Sequence, residues 1–223
     1  MWDSDFDKNV QRTKNRPIAS GRIKIKEATG FLAGQMTAGL GVLLSLPYTS
    51  FCFKLGAASL PFVFLYPTAK RWTKYPQLFL GVTFNWGVFM GWAANEGSVD
   101  LGVLMPMYVA GVCWTMIYDT IYAHQDKKDD EKLGLKSTAL TFGEDKKVMY
   151  GCVGGFGGGL ALSGMMVGMG LPYYAGVAGG AAHLLWQIRT ADFDDVENLA
   201  YRFKSNQVVG GMITAGALAG AMC

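Results

Sequence analysis

The sequence predicts an all-α protein, a polytopic transmembrane helical bundle, and three observations carry that prediction. Hydrophobic residues make up 51% of the 223 residues and charged residues only 17%, a low charged fraction for a soluble domain. The apolar residues form long runs, most of which approach the roughly 20 residues that a helix needs to cross a bilayer. The charged residues collect between alternate runs, as they do in the loops of a membrane protein.

Seven apolar segments are predicted as membrane spans. Their approximate bounds are 29–46, 51–66, 77–94, 101–122, 148–169, 171–188 and 207–223. The second segment gives the weakest signal, because Lys54 and Pro61 interrupt it. The fifth gives the strongest, because residues 148–169 offer almost no polar face of the kind that a water-exposed amphipathic helix requires.

The connections between the segments support the same topology. If the spans alternate in direction, the connections that share one side of the membrane are 1–28, 67–76, 123–147 and 189–206. That side holds 19 of the 20 Lys and Arg residues, as the positive-inside rule predicts. It also holds or adjoins 15 of the 17 acidic residues. Acidic residues contribute little to orientation, so their position predicts a polar site at one mouth of the bundle.

Glycine and cysteine usage fit a helical bundle in lipid. The chain has 30 glycines, and small residues let membrane helices approach closely. The glycine pairs with helical spacing that are predicted to form such contacts are Gly30/Gly34, Gly154/Gly158 and Gly216/Gly220. The four cysteines are scattered without a CxxC pair, which indicates neither a zinc site nor a disulfide framework.

Two aspartate clusters have helical spacing. The first contains Asp3 and Asp7, which are four residues apart and are followed by Arg12 and Arg16. The second cluster steps by three, four and four residues through Asp119, Tyr122, Asp126 and Asp130. On a continuous helix each cluster shares one face. Like charges at this spacing destabilise a helix unless another group neutralises them.

This pattern predicts a magnesium-bridged diphosphate site. Mg²⁺ takes oxygen ligands and is usually held by one or two carboxylates together with substrate phosphates. Nearby Arg and Lys side chains neutralise the remaining negative charge. Because diphosphate is a good leaving group, an allylic carbon attached to it can ionise and alkylate an electron-rich aromatic ring. Such chemistry requires neither a Ser or Cys nucleophile nor a redox cofactor.

Several sequence blocks resemble those of one known family. The blocks are Asp3-x-Asp5-x-Asp7 with Arg12–Gly21, Lys70-Arg71-x-Thr73-x-x-Pro76-Gln77, Leu80-Gly81-x-x-Phe84-Asn85-Trp86-Gly87, Tyr122-Ala123-x-Gln125-Asp126-x-x-Asp129-Asp130, and Gly134-x-Lys136-Ser137-Thr138-Ala139. Together they resemble the UbiA superfamily of intramembrane prenyltransferases, and most closely its 4-hydroxybenzoate polyprenyltransferase branch. The resemblance covers essentially the whole chain.

The resemblance implies an activity and a set of site residues. The implied activity is Mg²⁺-dependent transfer of a polyprenyl group from polyprenyl diphosphate to the ring of 4-hydroxybenzoate, a step of ubiquinone biosynthesis. The implied metal ligands are Asp3, Asp7, Asp126 and Asp130. The implied catalytic residues are Asp119, Tyr122, Asp126 and Asp130, of which the first two orient substrate. The implied substrate-binding residues are Arg12, Arg16, Lys70, Arg71 and Asn85, with the basic residues left undivided between the diphosphate and the carboxylate of the aromatic acid.

The start of the chain departs from the family pattern. The family has nine helices, and its first motif opens with an Asn-Asp pair at the end of the second helix. Here Met1 and Trp2 stand just after the place of that pair. The expectation is therefore a single transmembrane prenyltransferase domain over residues 1–223 that lacks the two N-terminal helices and has little activity alone.

Partners, a location and two rival functions are also predicted. The expected partners are the two substrates and the lipid bilayer, with no nucleic acid. The expected location is the mitochondrial inner membrane, with a bacterial inner membrane as the alternative. One rival function is the same chemistry on another aromatic or tetrapyrrole acceptor. The other rival is a non-enzyme, either a transporter or an inactive truncated remnant. A transporter would be expected to place ionisable residues near mid-membrane. In this sequence the charged residues gather at one face of the membrane instead.

Overall fold

The computed structural model describes residues 4–8 and 13–223, with the backbone alone for Phe6. Every regular element in this part of the chain is a helix. The α-helices are α1 Ser4–Asp7, α2 Ile25–Leu44, α3 Thr49–Leu65, α4 Ala69–Trp72, α5 Pro76–Phe84, α6 Gly87–Glu96, α7 Leu101–Ala123, α8 Lys127–Lys132, α9 Thr138–Phe142, α10 Lys147–Met166, α11 Leu171–Thr190 and α12 Val196–Gly220. Two 3₁₀ turns, Tyr66–Thr68 and His124–Asp126, join α3 to α4 and α7 to α8.

The all-helical prediction is confirmed, and each of the seven predicted segments is helical. Within the described residues, three helical stretches are long and apolar enough to cross a membrane by length and composition: Thr49–Trp72, Leu101–Lys132 and Lys147–Met166. The third predicted span is not one helix but two, α5 and α6. The break lies at Asn85, whose side-chain Nδ2 donates to the Gly81 carbonyl at 2.8 Å. An asparagine side chain that bonds the backbone in this way competes with helix continuation.

The centre of the bundle is α7, against which α5, α10 and α12 pack. Ile117 and Ile121 of α7 are almost completely buried in a cluster with Phe156 of α10, Leu184 of α11 and Leu199 of α12. This apolar cluster fixes the end of α7 that carries the second aspartate cluster.

Glycines mediate the closest helix contacts, although not all at the predicted positions. A Cβ atom on Gly220 would lie 2.8 Å from the Tyr173 Cβ, so the pair Gly216/Gly220 packs as predicted. The pairs Gly30/Gly34 and Gly154/Gly158 do not, because a Cβ there would meet no other described atom within 4 Å. The α10 contact uses Gly155 and Gly159, which face Cys113 and the Pro106 carbonyl of α7. In a run so rich in glycine, sequence spacing alone could not select the packed face.

Large apolar side chains are exposed on the outside of the bundle. None of the residues of α2 is buried, and Phe31, Met36 and Val42 on this helix are all more than half exposed. Phe64 of α3 is also mostly exposed. Exposure of this kind carries little cost in a bilayer, because lipid tails are as apolar as these side chains.

Candidate active site

A 3₁₀ turn, His124–Asp126, joins α7 to α8 within the second aspartate cluster. His124 in this turn is buried, and its Nδ1 and Nε2 lie 2.9 Å from the carbonyl oxygens of Thr120 and Gly143. The imidazole also stacks on the Phe193 ring at 3.8 Å between centroids. The second cluster therefore does not lie on one uninterrupted α-helix.

The aspartates nevertheless line one polar cavity of about 280 Å³. The residues around this polar cavity are Asp7, Thr13, Arg16, Tyr66, Pro67, Lys70, Arg71, Gln77, Asp119, Tyr122, Ala123, Asp126, Asp130 and Leu135. The structure thus brings eight of the predicted site residues together: Asp7, Arg16, Lys70, Arg71, Asp119, Tyr122, Asp126 and Asp130. Asp3 and Arg12 lie outside the described residues.

Lys70 and Asp130 form an ion pair in the wall of the polar cavity. Lys70 Nζ lies 2.9 Å from Oδ2 and 3.1 Å from Oδ1 of Asp130, whose side chain is only 2% exposed. The Lys136 amide donates to the Lys70 carbonyl at 2.8 Å, so the loop after α8 is tied to α4. A carboxylate at this depth requires a cationic partner, which explains why a lysine stands on the facing helix.

Asp7 and Arg16 form a second pair at another side of the polar cavity. Arg16 Nη1 lies 3.0 and 3.1 Å from the two carboxylate oxygens of Asp7. Thr13 Oγ1 donates to the Asp7 carbonyl at 3.1 Å, which ties Thr13 to the end of α1. Asp5, which lies between Asp3 and Asp7 in the motif, is exposed and pairs with Lys8. The hydrogen bond from Lys8 and the charge of Lys8 lower the pKa of the Asp5 carboxyl.

Asn85, predicted to bind substrate, is not among the residues that line the polar cavity. Its Nδ2 donates to Thr115 Oγ1 of α7 at 3.0 Å as well as to the Gly81 carbonyl. Its side chain also lies against Gly111, where no Cβ could be accommodated. These contacts give Asn85 a packing role between α5 and α7.

Gln77 lines the polar cavity, although it was not among the predicted site residues. It is 3% exposed and stands at the start of α5, beside the wall formed by Lys70 and Arg71. The sequence did carry a signal for it, since Gln77 closes the block that begins with those two basic residues. Thr13, which also lines the polar cavity, had the same kind of signal in the block Arg12–Gly21, whereas Tyr66 had none.

The formal charge of the polar cavity bears on what it can bind. Among the described lining residues four are carboxylates and three are cations, which leaves a net formal charge of −1. An anionic diphosphate is not attracted by this balance alone, whereas a divalent cation reverses its sign. No three His, Cys, Asp or Glu side chains of the described residues are grouped closely enough to hold a metal ion by themselves. The carboxylates of the lining are the type of ligand that Mg²⁺ takes in proteins, usually one or two of them together with phosphate oxygens of a substrate.

An apolar groove of about 770 Å³ adjoins the polar cavity and shares Asp7 and Arg16 with it. Its other lining residues are Ser4, Pro17, Ile18, Ala19, Ile23, Glu27, Ala28, Phe31, Leu32 and Gln35. The side chains between the 17–23 segment and α2 are mostly aliphatic or aromatic. Polar cavity and apolar groove together suit a molecule with a charged head and a long apolar tail.

Comparison with known sequences identifies relatives along the whole chain. The profile of the UbiA prenyltransferase family matches residues 1–213. The mouse protein named 4-hydroxybenzoate polyprenyltransferase, mitochondrial, is 51% identical over 227 residues, which cover 100% of this chain and 59% of that protein. The human protein of the same name is 50% identical over 99% of this chain and 59% of its own length. The Arabidopsis thaliana protein is 48% identical over 99% and 54%. The chain thus spans little more than half the length of these relatives.

Two solved structures share the fold. The apo structure of a UbiA homolog from Aeropyrum pernix K1 superposes with a TM-score of 0.83 at 24% identity, over 97% of this chain and 80% of that one. A structure of digeranylgeranylglyceryl phosphate synthase superposes with a TM-score of 0.63 at 19% identity, over 99% and 77% of the two chains.

Proposed function

Because this chain belongs to the UbiA prenyltransferase family, we propose that it transfers a polyprenyl group from polyprenyl diphosphate to the ring of 4-hydroxybenzoate in ubiquinone biosynthesis. The observation that carries the proposal is the union of the polar cavity with the apolar groove through Asp7 and Arg16. The names of the mouse and human relatives support this donor class and this acceptor.

The donor binds with its diphosphate in the polar cavity and its tail in the apolar groove. Arg16 and Arg71 lie where they can reach phosphate oxygens, and Lys70 contacts the buried Asp130 carboxylate. Asp7, Asp126 and Asp130 are the carboxylates that would hold Mg²⁺. When bound, the ion neutralises the charge that develops on the leaving diphosphate.

Transfer breaks one bond and forms another. The carbon–oxygen bond between the allylic carbon and the diphosphate breaks, and its electron pair leaves with the diphosphate. Ring electrons of the acceptor form the new carbon–carbon bond, and the ring proton then leaves to a basic oxygen. Asp119 and Tyr122 project from the last turns of α7 and orient the acceptor. Tyr122 is fixed there by the Phe203 ring, 4.4 Å away between centroids.

The reaction takes place at the membrane, since the donor tail is as apolar as a lipid. The long apolar helical stretches and the exposed apolar surface of α2 and α3 support an integral membrane protein. The relatives of mouse, human and Arabidopsis thaliana carry the word mitochondrial in their names. We therefore place this protein in the mitochondrial inner membrane.

A transfer assay tests the proposal. The protein is reconstituted in lipid nanodiscs with polyprenyl diphosphate, 4-hydroxybenzoate and Mg²⁺, and the prenylated acid is measured by mass spectrometry. Two forms are assayed: the 223-residue chain, and an extended protein in which a two-helix segment from a relative precedes Met1. Asp126→Asn is expected to lower the rate about 10²- to 10³-fold, because it removes one preorganised charge. The control Asp194→Asn changes an exposed aspartate far from the cavity lining and is expected to have no effect.

Two outcomes of the same assay would contradict the proposal. One is product formation by Asp126→Asn at the rate of the unchanged protein. The other is transfer only to a different acceptor class, such as a naphthoate or a tetrapyrrole, offered in place of 4-hydroxybenzoate.

A further inference from the structure

Gln77 has one half of its carboxamide fixed and the other half open to the polar cavity. Its Oε1 accepts a hydrogen bond from the Thr138 backbone N–H at 3.0 Å. Because a backbone N–H only donates, the oxygen must be the atom that faces Thr138, and this settles the orientation of the amide. The NH₂ group therefore points to the other side.

The anchor of Gln77 is rigid. Thr138 is the first residue of α9, where backbone N–H groups have no partner within the helix, and Gln77 supplies that partner. The Thr138 hydroxyl lies 2.7 Å from the Thr120 hydroxyl of α7. The contact thus joins the first turns of α5 and α9 to α7, and it fixes the amide within a short distance of the aspartates.

The NH₂ group of Gln77 is available to a ligand. Gln77 is 3% exposed and lines the polar cavity. Among the described residues its carboxamide makes its hydrogen bond through Oε1, so Nε2 is the atom that faces the space of the polar cavity. A preorganised N–H donor at that place suits an anionic oxygen.

The donors and the carboxylates of the polar cavity come from different elements. Helices α4 and α5 contribute the donors Lys70, Arg71 and Gln77, and Asp130 of α8 is paired with Lys70. Asp119 of α7 and Asp126 of the turn after it contribute carboxylates. A small aromatic acid with a carboxylate at one end would direct that carboxylate toward the donors of α4 and α5, because Asp119 and Asp126 repel it.

We propose that Gln77 determines acceptor specificity by donating a hydrogen bond from Nε2 to the carboxylate of the aromatic acid. This inference rests on the proposed function, because it takes a carboxylated aromatic ring as the acceptor. Gln77 recognises the acid group and takes no part in the ionisation of the prenyl diphosphate.

The test compares two variants of Gln77 that separate the role of its NH₂ group from the role of its Oε1 contact with Thr138. Gln77→Glu keeps an oxygen for the Thr138 N–H and replaces the NH₂ donor by an anionic oxygen. Gln77→Met keeps the length of the side chain and removes both hydrogen bonds. Gln207→Glu makes the same Gln-to-Glu substitution at an exposed position of α12 and serves as the matched control.

The measurement is equilibrium binding to the 223-residue chain in nanodiscs by calorimetry. The ligands are 4-hydroxybenzoate, its neutral analogue 4-hydroxybenzamide, and a non-reactive polyprenyl thiodiphosphate with Mg²⁺. Gln77→Glu is expected to raise the Kd of the acid about 10- to 100-fold, the effect of one hydrogen bond to a charged group. The Kd of the amide should stay the same or fall, because its NH₂ can donate to Glu. Gln77→Met should weaken binding of the acid without favouring the amide.

Three results would overturn the assignment. One is an equal change for acid and amide in Gln77→Glu. The second is a change confined to the polyprenyl thiodiphosphate, which would assign Gln77 to the donor diphosphate. The third is no measurable binding of the acid to the unchanged chain. Failure of the proposed function is distinguishable, because it appears as absence of prenylated product in the transfer assay while the difference between acid and amide persists.

Discussion

Lys70 and Asp130 are sixty residues apart in sequence, and the lysine Nζ lies 2.9 Å from an oxygen of the carboxylate. The contact joins α4 to α8 across the polar cavity, and it leaves Asp130 2% exposed with its charge compensated. One ion pair therefore both joins two elements of the cavity wall and places a positive charge against a buried carboxylate. Stability and activity are expected to separate when the pair is altered one residue at a time.

Lys70→Met is expected to destabilise the protein by about 1–3 kcal/mol, because it removes the cation that lies against a buried carboxylate. Adding Asp130→Asn to Lys70→Met should restore most of that stability, since the buried negative charge is then gone. Thermal unfolding in detergent measures the stability of the single variant and of the double variant. Equal loss in the single and the double variant would mean that the two side chains are not energetically coupled.

Arg16→Gln is expected to raise the KM for polyprenyl diphosphate about tenfold or more in the extended protein, because the guanidinium that adjoins both the polar cavity and the apolar groove is removed. The KM for 4-hydroxybenzoate should change much less. Arg189→Gln, at an exposed position outside the cavity, is the control. An equal increase in both KM values would indicate a general disturbance of the site.

Asn85→Ala is expected to destabilise the protein by about 1–3 kcal/mol, because it leaves Thr115 and the α5–α7 contact without the amide. Neither substrate KM should rise in the extended protein, since the side chain does not line the polar cavity. Unfolding and steady-state kinetics on the same preparation separate the two roles. A raised KM with unchanged stability would restore Asn85 to the substrate-binding set.

The 223-residue chain is expected to transfer prenyl groups at no more than a small fraction of the rate of the extended protein. The chain covers only 59% of the mouse relative, and α2, which forms one wall of the apolar groove, buries none of its residues. Additional helices against that face would enclose the donor tail. Parallel transfer assays on the two forms make the comparison, and equal rates would refute the expectation.

Much of the fold was predictable from the sequence, because the bilayer imposes a simple rule on it. Apolar runs long enough to cross the membrane predicted the helices, and the sidedness of Lys and Arg predicts their direction. The break between α5 and α6 was not predictable from hydropathy, since residues 77–94 are predominantly apolar on both sides of Asn85. It depends on hydrogen bonds of Asn85, one of them to a residue of another helix, Thr115.

The membership of the candidate site was partly predictable for a different reason. Aspartates at helical spacing and adjacent basic residues gave most of the cavity lining. The shape of the turn was missed, because the burial of His124 against Phe193 is a tertiary contact. Gln77 was missed because a single glutamine has no spacing pattern, and its role appears only when Thr138 of α9 fixes its orientation.

The central claim is that the aspartates of the polar cavity bind a prenyl diphosphate through a divalent cation, and binding of a non-reactive polyprenyl thiodiphosphate to the 223-residue chain in nanodiscs tests it most directly. The predicted result is binding that requires Mg²⁺, is lost in Asp126→Asn and is retained in Asp194→Asn. Binding of equal strength with and without Mg²⁺, or binding that Asp126→Asn leaves unchanged, would contradict the claim.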